Sequence, residues 1–171
     1  SHKDFGYHVL LTNEEFGRNE IAGALFVRKD SGINTIADLQ GNKILCGGGP
    51  SAMISYIMNT HILRQAGLKE GDYQREYSIN PPNAVFAAYY GHAAAAGAGD
   101  IALQLPNVRN KIDTGELKYT TVSNRMPHIP SAVSGNIDPS LQQKIPTILA
   151  CLNAKPAGKP LVNQATRNET A

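Results

Sequence analysis

Short unbroken apolar runs alternate along this chain with apolar stripes at helical spacing. GALFVRKD, from Gly23 to Asp30, reads as a strand, Ser31-Gly32 as a turn, TIADLQG as a short helix stopped by Gly41, and NKILCG as a second strand. Ile54, Ile57, Met58, Ile62 and Leu63 then fall near one stripe, which predicts a helix from about Ser51 to Ala66 with Gly67 just past its end. REYSI predicts a strand, Pro82 to Gly91 a helix with proline at an early position, and DIALQL a strand following the small-residue run HAAAAGAG. LPNVRNKI reads as a short helix, KYTTVS as a strand and PHIPSAVSGNIDPS as a turn-rich connection. PSLQQKIPTILACL predicts a helix that Pro146 kinks or interrupts, and AGKPLVNQA a last helix in the tail. The alternation predicts an α/β fold, a mostly parallel sheet flanked by helices. Ligands in that class sit at the carboxyl ends of strands beside helix N-termini, which makes Cys46 to Tyr56 and Ile79 to Val85 the lips of a cleft. The small residues Ala93 to Ala98 are read as letting a helix and a strand approach closely.

The segment richest in chemistry is LCGGGPSAMISYIMNTHILRQAG, Leu45 to Gly67: a strand end, three glycines and a Pro-Ser helix start. A helix N-terminus after such a loop offers unpaired backbone N–H groups and a positive dipole end, which suit phosphate or carboxylate. The first helical turn, however, is Ala52-Met53-Ile54, where an anion site would want hydroxyls. Gly47 to Ser51 reads either as a loop whose backbone approaches a ligand or as a tight strand-to-helix turn with Ser51 as the N-cap. Met53, Ile54, Tyr56 and Phe86 line a pocket in one reading and belong to the core in the other. Tyr89 and Tyr90 read as a helix end packed on the lobe.

Composition removes several function classes. The 171 residues are 42% hydrophobic, enough for a real core. A net charge of +2, from 16 basic and 14 acidic residues, with no basic run longer than Arg28-Lys29, argues against a nucleic-acid partner. No apolar stretch approaches the roughly 18 to 20 residues of a membrane span, and SHKDFGYHVLL shows no basic region followed by an apolar core. Cys46 and Cys151 are too few for a disulfide scaffold and too far apart for a CxxC motif, and both read as buried free thiols. His2, His8, His61, His92 and His128 form no HxH, HxxxH or HExxH spacing, so no metal is expected, and His128, flanked by prolines, reads as a turn residue. Ser51 and Ser55 lack His/Asp partners at recognisable spacing, GxSxG is absent, and GGGP is neither GxGxxG nor a Walker loop. Neither enzymatic activity nor a cofactor is expected.

The string LFVRKDSGINTIADLQGNKILCGGGPSAMISYIMNTHILRQAGL resembles the second lobe of periplasmic solute-binding proteins of the phosphate, phosphite and phosphonate ABC-transporter family. VRKDSGI followed by IADLQG resembles that family's entry into the lobe, and SNRMPHIPSAVSGNIDPSLQQKI resembles its later Ser-x-x-x-Pro-His-x-Pro segment and the following Asp-Pro helix. The resemblance covers about Ala24 to Leu161. It implies one lobe of a type II periplasmic-binding-protein fold, roughly the second half of a two-lobed protein. Residues 1–23 are then an inter-lobe segment or hinge approach, 24–135 the α/β ligand-binding lobe, and 136–171 helices returning toward a first lobe.

The departures from the family pattern shape the expected ligand. The family's phosphonate site has Ser-Thr-Ser-Gly-Tyr opening the helix, and the matching stretch here is Ala52-Met53-Ile54-Ser55-Tyr56. Its histidine before the next helix falls at about Pro82, its acidic residue after that helix falls within Ala93 to Ala96, and Tyr56 carries over. A phosphonate without those donors would have unmet hydrogen bonds. The resemblance therefore implies a periplasmic solute-binding protein whose inter-lobe cleft takes a largely apolar, lipid-like or sterol-like ligand. Gly48, Gly49, Ser51, Ala52, Met53, Ile54, Ser55, Tyr56, Pro82, Asn83 and Phe86 form the expected site, with Tyr56, Ser55 or Asn83 anchoring a terminal polar group. One alternative is a small oxyanion held by the backbone amides of Gly48 to Met53, and another is a sensor module with a membrane partner. The remaining expectations are a membrane transporter as partner and self-association through the face containing Ala52, Met53 and Tyr56.

Overall fold

The computed structural model describes residues 6–154 together with Pro156 and Gly158. The chain runs through β1 (Tyr7–Thr12), β2 (Glu20–Ile21), β3 (Gly23–Arg28), a 3₁₀ turn at Ala37–Leu39 and β4 (Lys43–Gly47). A π turn at Met53–Ile57 leads into α1 (Met58–Gln65), followed by β5 (Gln74–Ser78), α2 (Pro81–Tyr89) and β6 (Ala95–Gly99). A 3₁₀ turn at Ala102–Gln104, α3 (Pro106–Arg109), β7 (Leu117–Val122), β8 (Met126–Pro127), β9 (Pro130–Ser134) and α4 (Pro139–Ala154) complete it. The helix expected in AGKPLVNQA falls, Gly158 aside, outside the described residues.

The chain divides into two compact units, Ile21–Met126 and the flanking segments Ser1–Glu20 with Pro127–Ala171. The central unit carries a five-stranded sheet in the order β5-β4-β6-β3-β7. Its α/β class is the expected one, but the sheet is mixed rather than mostly parallel. β4 runs parallel to β5 and β6, whereas β3 runs antiparallel to β6 and β7. Parallel neighbours need a crossover connection, and the helical ones here are α1 between β4 and β5 and α2 between β5 and β6. On one face Leu25, Val27, Ile33, Leu39, Ile44, Cys46, Ile62, Leu63, Leu68 and Tyr73 form a buried cluster. α1 ends as its sequence predicts: Gly67 takes φ +91°, and the Leu68 N–H donates to the Leu63 carbonyl across the helix end.

Two elements differ from expectation. DIALQL is not a strand; it turns through a 3₁₀ segment, and the strand is the small-residue run Ala95–Gly99, buried throughout. Its apolarity is low because a helix lies directly on it. A Cβ added at Gly97 would sit 2.5 Å from the Ser55 carbonyl oxygen, and one at Gly23, on β3, 2.7 Å from that of Ile54. Close approach of a helix to the sheet is thus what the small residues provide. Cys46 is buried as expected, but Cys151, on α4, is exposed.

In the flanking unit β1 pairs antiparallel with β9, from Tyr7 opposite Ser134 to Thr12 opposite Pro130. β9 is held by this pairing, and the sheet-bearing unit ends at Met126. His128 is buried, and its Nε2 lies 3.0 Å from Glu15 Oε2. Its Nδ1 accepts the Ile129 N–H at 2.8 Å, which leaves the proton on Nε2 to be donated to the carboxylate. α4 runs through Pro146 from Pro139 to Ala154.

Candidate functional site

The carboxyl ends of β4 and β5 meet the starts of two helices, and Gly47 is the residue that lets them meet. A Cβ there would collide with the Pro81 backbone at the start of α2, and its carbonyl accepts the hydroxyl of Ser55 from the π turn. Gly48, at φ +84°, donates its N–H to the Ser78 carbonyl at 2.9 Å. Ala52 N–H then closes onto the Gly49 carbonyl at 3.0 Å, a turn that carries Ser51 outward and leaves it exposed. The cap is therefore Ala52, in extended backbone and without a side-chain acceptor, and Ser51 does not cap.

Uncapped, the helix opens with free donors. The N–H groups of Met53, Ile54 and Ser55 have no carbonyl one turn back within the helix, and the first intrahelical bonds are those of Tyr56 and Ile57, both to the Ala52 carbonyl at 3.0 and 3.1 Å. Three backbone donors and the positive end of the helix dipole thus adjoin the glycine loop. The start of α2 is the opposite case. Pro81 and Pro82 have no N–H, the Asn83 N–H is taken by the Asn80 side chain at 3.0 Å, and that of Ala84 reaches the Asn80 carbonyl at 3.4 Å. Of the two helix starts, only the one at Met53 is open to an anion.

The expected site residues separate accordingly. Gly48, Gly49, Ser51, Ala52 and Met53 surround the open turn, with Met53 47% exposed. Ile54 is half-buried, its Cγ2 3.3 Å from where a Cβ on Gly99 would sit. Ser55 is buried, its hydroxyl committed to the Gly47 carbonyl. Tyr56 turns toward β5, where its hydroxyl accepts from Arg75 Nη1 at 2.8 Å and its ring lies 4.7 Å from the Arg75 guanidinium carbon. Pro82 is buried; Asn83 is exposed; Phe86 is half-buried, with Lys111 Nζ 5.8 Å from its ring centre.

Two residues that sequence reasoning passed over organise this region. Arg75, its side chain only 8% exposed, bridges the hydroxyls of Tyr56 and Tyr73 and the carboxylate of Glu70 at 3.0 Å. Asn59, fully buried, donates through its amide nitrogen to the carbonyls of Ile54 and Ser55 at 3.2 and 3.0 Å. A polar residue on the apolar stripe of α1 was the available signal. Elsewhere, a groove of about 490 Å³ runs between α1 and β7, lined by Met58, His61, Ile62, Thr121 and Ser123 among others, along the helix flank. Among the described residues no group of His, Cys, Asp and Glu could hold a metal ion, and no helix is long and apolar enough to cross a membrane.

The mixed α/β unit matches the fold of one lobe of a periplasmic binding protein. The chain belongs to the family of phosphonate periplasmic substrate-binding proteins of ABC transporters, whose pattern matches residues 1–170. Among solved structures it is similar to XAC2383 from Xanthomonas citri bound to ATP, with a TM-score of 0.78 at 15% identity over 95% of this chain and 63% of that one. It is also similar to a binding-protein component of an ABC phosphonate transporter from Pseudomonas aeruginosa, with a TM-score of 0.74 at 13% identity over 91% of this chain and 53% of that one. A third similar structure is PhnD1 from Prochlorococcus marinus in complex with methylphosphonate, with a TM-score of 0.72 at 13% identity over 91% and 61%. The chain thus spans less than two thirds of the length of these structures.

The lipid-like or sterol-like ligand finds no support in these relationships, and the oxyanion alternative fits them better. The physical reason lies in the side chains. Ile54, Ser55 and Tyr56, read as an apolar or anchoring wall, point into the sheet, the loop and Arg75 respectively.

Proposed function

We propose that this chain is part of the substrate-binding component of a periplasmic ABC importer and that it takes a small oxyanion of the phosphonate or phosphate class. The observation that carries the reading is the uncapped turn at Met53–Ser55, whose backbone N–H groups have no acceptor within the helix, beside a glycine loop in a chain of the phosphonate-binding family. Methylphosphonate in the Prochlorococcus protein and a phosphate-bearing nucleotide in the Xanthomonas protein support the same chemistry. The oxyanion lies on the helix axis, its oxygens accepting from Met53, Ile54 and Ser55, and the dipole stabilises its charge. Backbone donors cannot titrate, so this wall of the site holds its charge preference at all pH values of interest. A membrane transporter is the partner to which such a protein delivers its ligand.

The test is a titration of the ¹⁵N-labelled chain with methylphosphonate, phosphite and phosphate, followed by amide chemical shifts. The expected result is a saturable shift concentrated on Gly48–Ser55, with the amide protons of Met53, Ile54 and Ser55 moving downfield. No response in this segment to any of the three anions at millimolar concentration overturns the reading.

A further inference from the structure

The helix that offers those donors does not start as an α-helix. Met58 N–H donates five residues back, to Met53, and Tyr56 and Ile57 share the Ala52 carbonyl. Such π turns are uncommon and cluster at functional sites. Widening the turn swings the Ile54 and Ser55 carbonyls toward the sheet, and both meet the same two features. They press on Gly23 and Gly97, where a Cβ would lie 2.7 and 2.5 Å away, and both accept from the single amide nitrogen of Asn59. This fixes the amide orientation, since a flip would turn Oδ1 onto two carbonyls. Oδ1 is left facing Gly23, buried and without a hydrogen-bond partner. An unpaired buried oxygen is a stability defect of a kind that persists where a site needs it.

We propose that Asn59 is a positioning residue for the anion site: it holds the turn in the π register and so sets where the Met53, Ile54 and Ser55 N–H groups point. The inference rests on the oxyanion reading above. In an α register the Ile54 carbonyl would accept from Met58 and the Ser55 carbonyl from the residue-59 N–H, neither would need the side chain of residue 59, and the N–H groups of Met53, Ile54 and Ser55 would change direction.

Two variants and two measurements test this. Asn59→Leu keeps the volume and removes both the donor and the unpaired oxygen. The expected result is a melting temperature at or above that of the parent, a Met58 hydrogen bond that moves from the Met53 to the Ile54 carbonyl in through-bond NMR couplings, and methylphosphonate binding about tenfold weaker or worse. Asn59→Asp keeps the shape but presents a carboxylate to two carbonyls. Its binding, measured against the parent at each pH, should be weakest at alkaline pH and recover on acidification, when the protonated carboxyl again donates. Asn59→Leu retaining the Met53 bond overturns the proposal, as does Asn59→Leu rewinding to the α register yet binding as tightly as the parent. If the parent binds none of the oxyanions, the functional reading falls instead, and the Met58 coupling in Asn59→Leu still decides whether Asn59 holds the turn.

Discussion

Arg125 Nη1 lies 3.0 Å from Oδ2 of Asp100, whose other carboxylate oxygen accepts the Ala22 N–H at 3.2 Å. The two partners are unequal: the Asp100 side chain is 5% exposed and that of Arg125 43%. Asp100→Ala removes the acceptor for a buried N–H and the only charge facing Arg125 in this pair, and should lower the unfolding free energy by about 2 to 3 kcal/mol. Arg125→Ala leaves Asp100 bonded to the Ala22 N–H but takes a cation from a buried carboxylate, and costs less, about 1 to 2 kcal/mol. Urea denaturation of both variants checks the order, and a larger loss for Arg125→Ala would contradict it.

The glycine loop divides sharply by position. At Gly47 an added Cβ collides with the Pro81 backbone, whereas at Gly49 it meets nothing within 4 Å. Gly47→Ala should therefore cost about 3 kcal/mol by forcing β4 and α2 apart, and Gly49→Ala should stay within about 0.5 kcal/mol of the parent. Thermal melting of the pair is the measurement.

Periodicity and punctuation made β3, β4, α1 and its glycine stop readable, because each is specified by its own residues. β6 was not readable. Ala95–Gly99 has no apolar bulk of its own, and its strand character comes from burial beneath the turn that presses on Gly97 and from pairing with β3. The glycine loop of the site was legible from spacing, whereas the orientations of Ser55 and Tyr56 depend on partners distant in sequence, Gly47 and Arg75. The uncapped start at Met53 was obscured for a related reason: side-chain identity says nothing about which backbone N–H groups a fold leaves free.

Burial pushes the Cys46 thiol up from 9.0 to about 11. Below pH 9 the thiol is protonated in folded and unfolded chains alike. Between the two values the unfolded chain releases a proton that the folded chain retains, so stability falls as pH rises, by at most about 1.4 kcal/mol per unit, and levels off above the folded value. Cys46→Ala should flatten that alkaline arm in denaturation curves taken across this range. Iodoacetamide on the native protein should alkylate exposed Cys151 and spare Cys46, which is 2% exposed.

Met53 is the most direct probe of the open turn. It is half in solvent at the first helical position, so Met53→Asp should fold and gain about 0.5 kcal/mol from the helix dipole. The same carboxylate satisfies the free donors from within the chain and repels an incoming anion, so methylphosphonate shifts should vanish. Calorimetric unfolding and the amide titration together check both halves, and undiminished anion binding would move the site away from this turn.

The division of the chain at Glu20/Ile21 and at Met126/Pro127 has a consequence for the order of events during synthesis. The central unit is one uninterrupted stretch, so its sheet can close as soon as Met126 clears the ribosome. β1, made before the central unit, pairs among the described residues with β9, so Tyr7 must wait for Ser134 across the whole intervening unit. A prefolded insert shortens that wait in entropic terms: its two ends, Ile21 and Met126, lie in strands that pair with each other, so the loop to be closed is already drawn together. β1 thus finds its place after the central unit that follows it in the chain, and until then it is a strand a holding chaperone would meet.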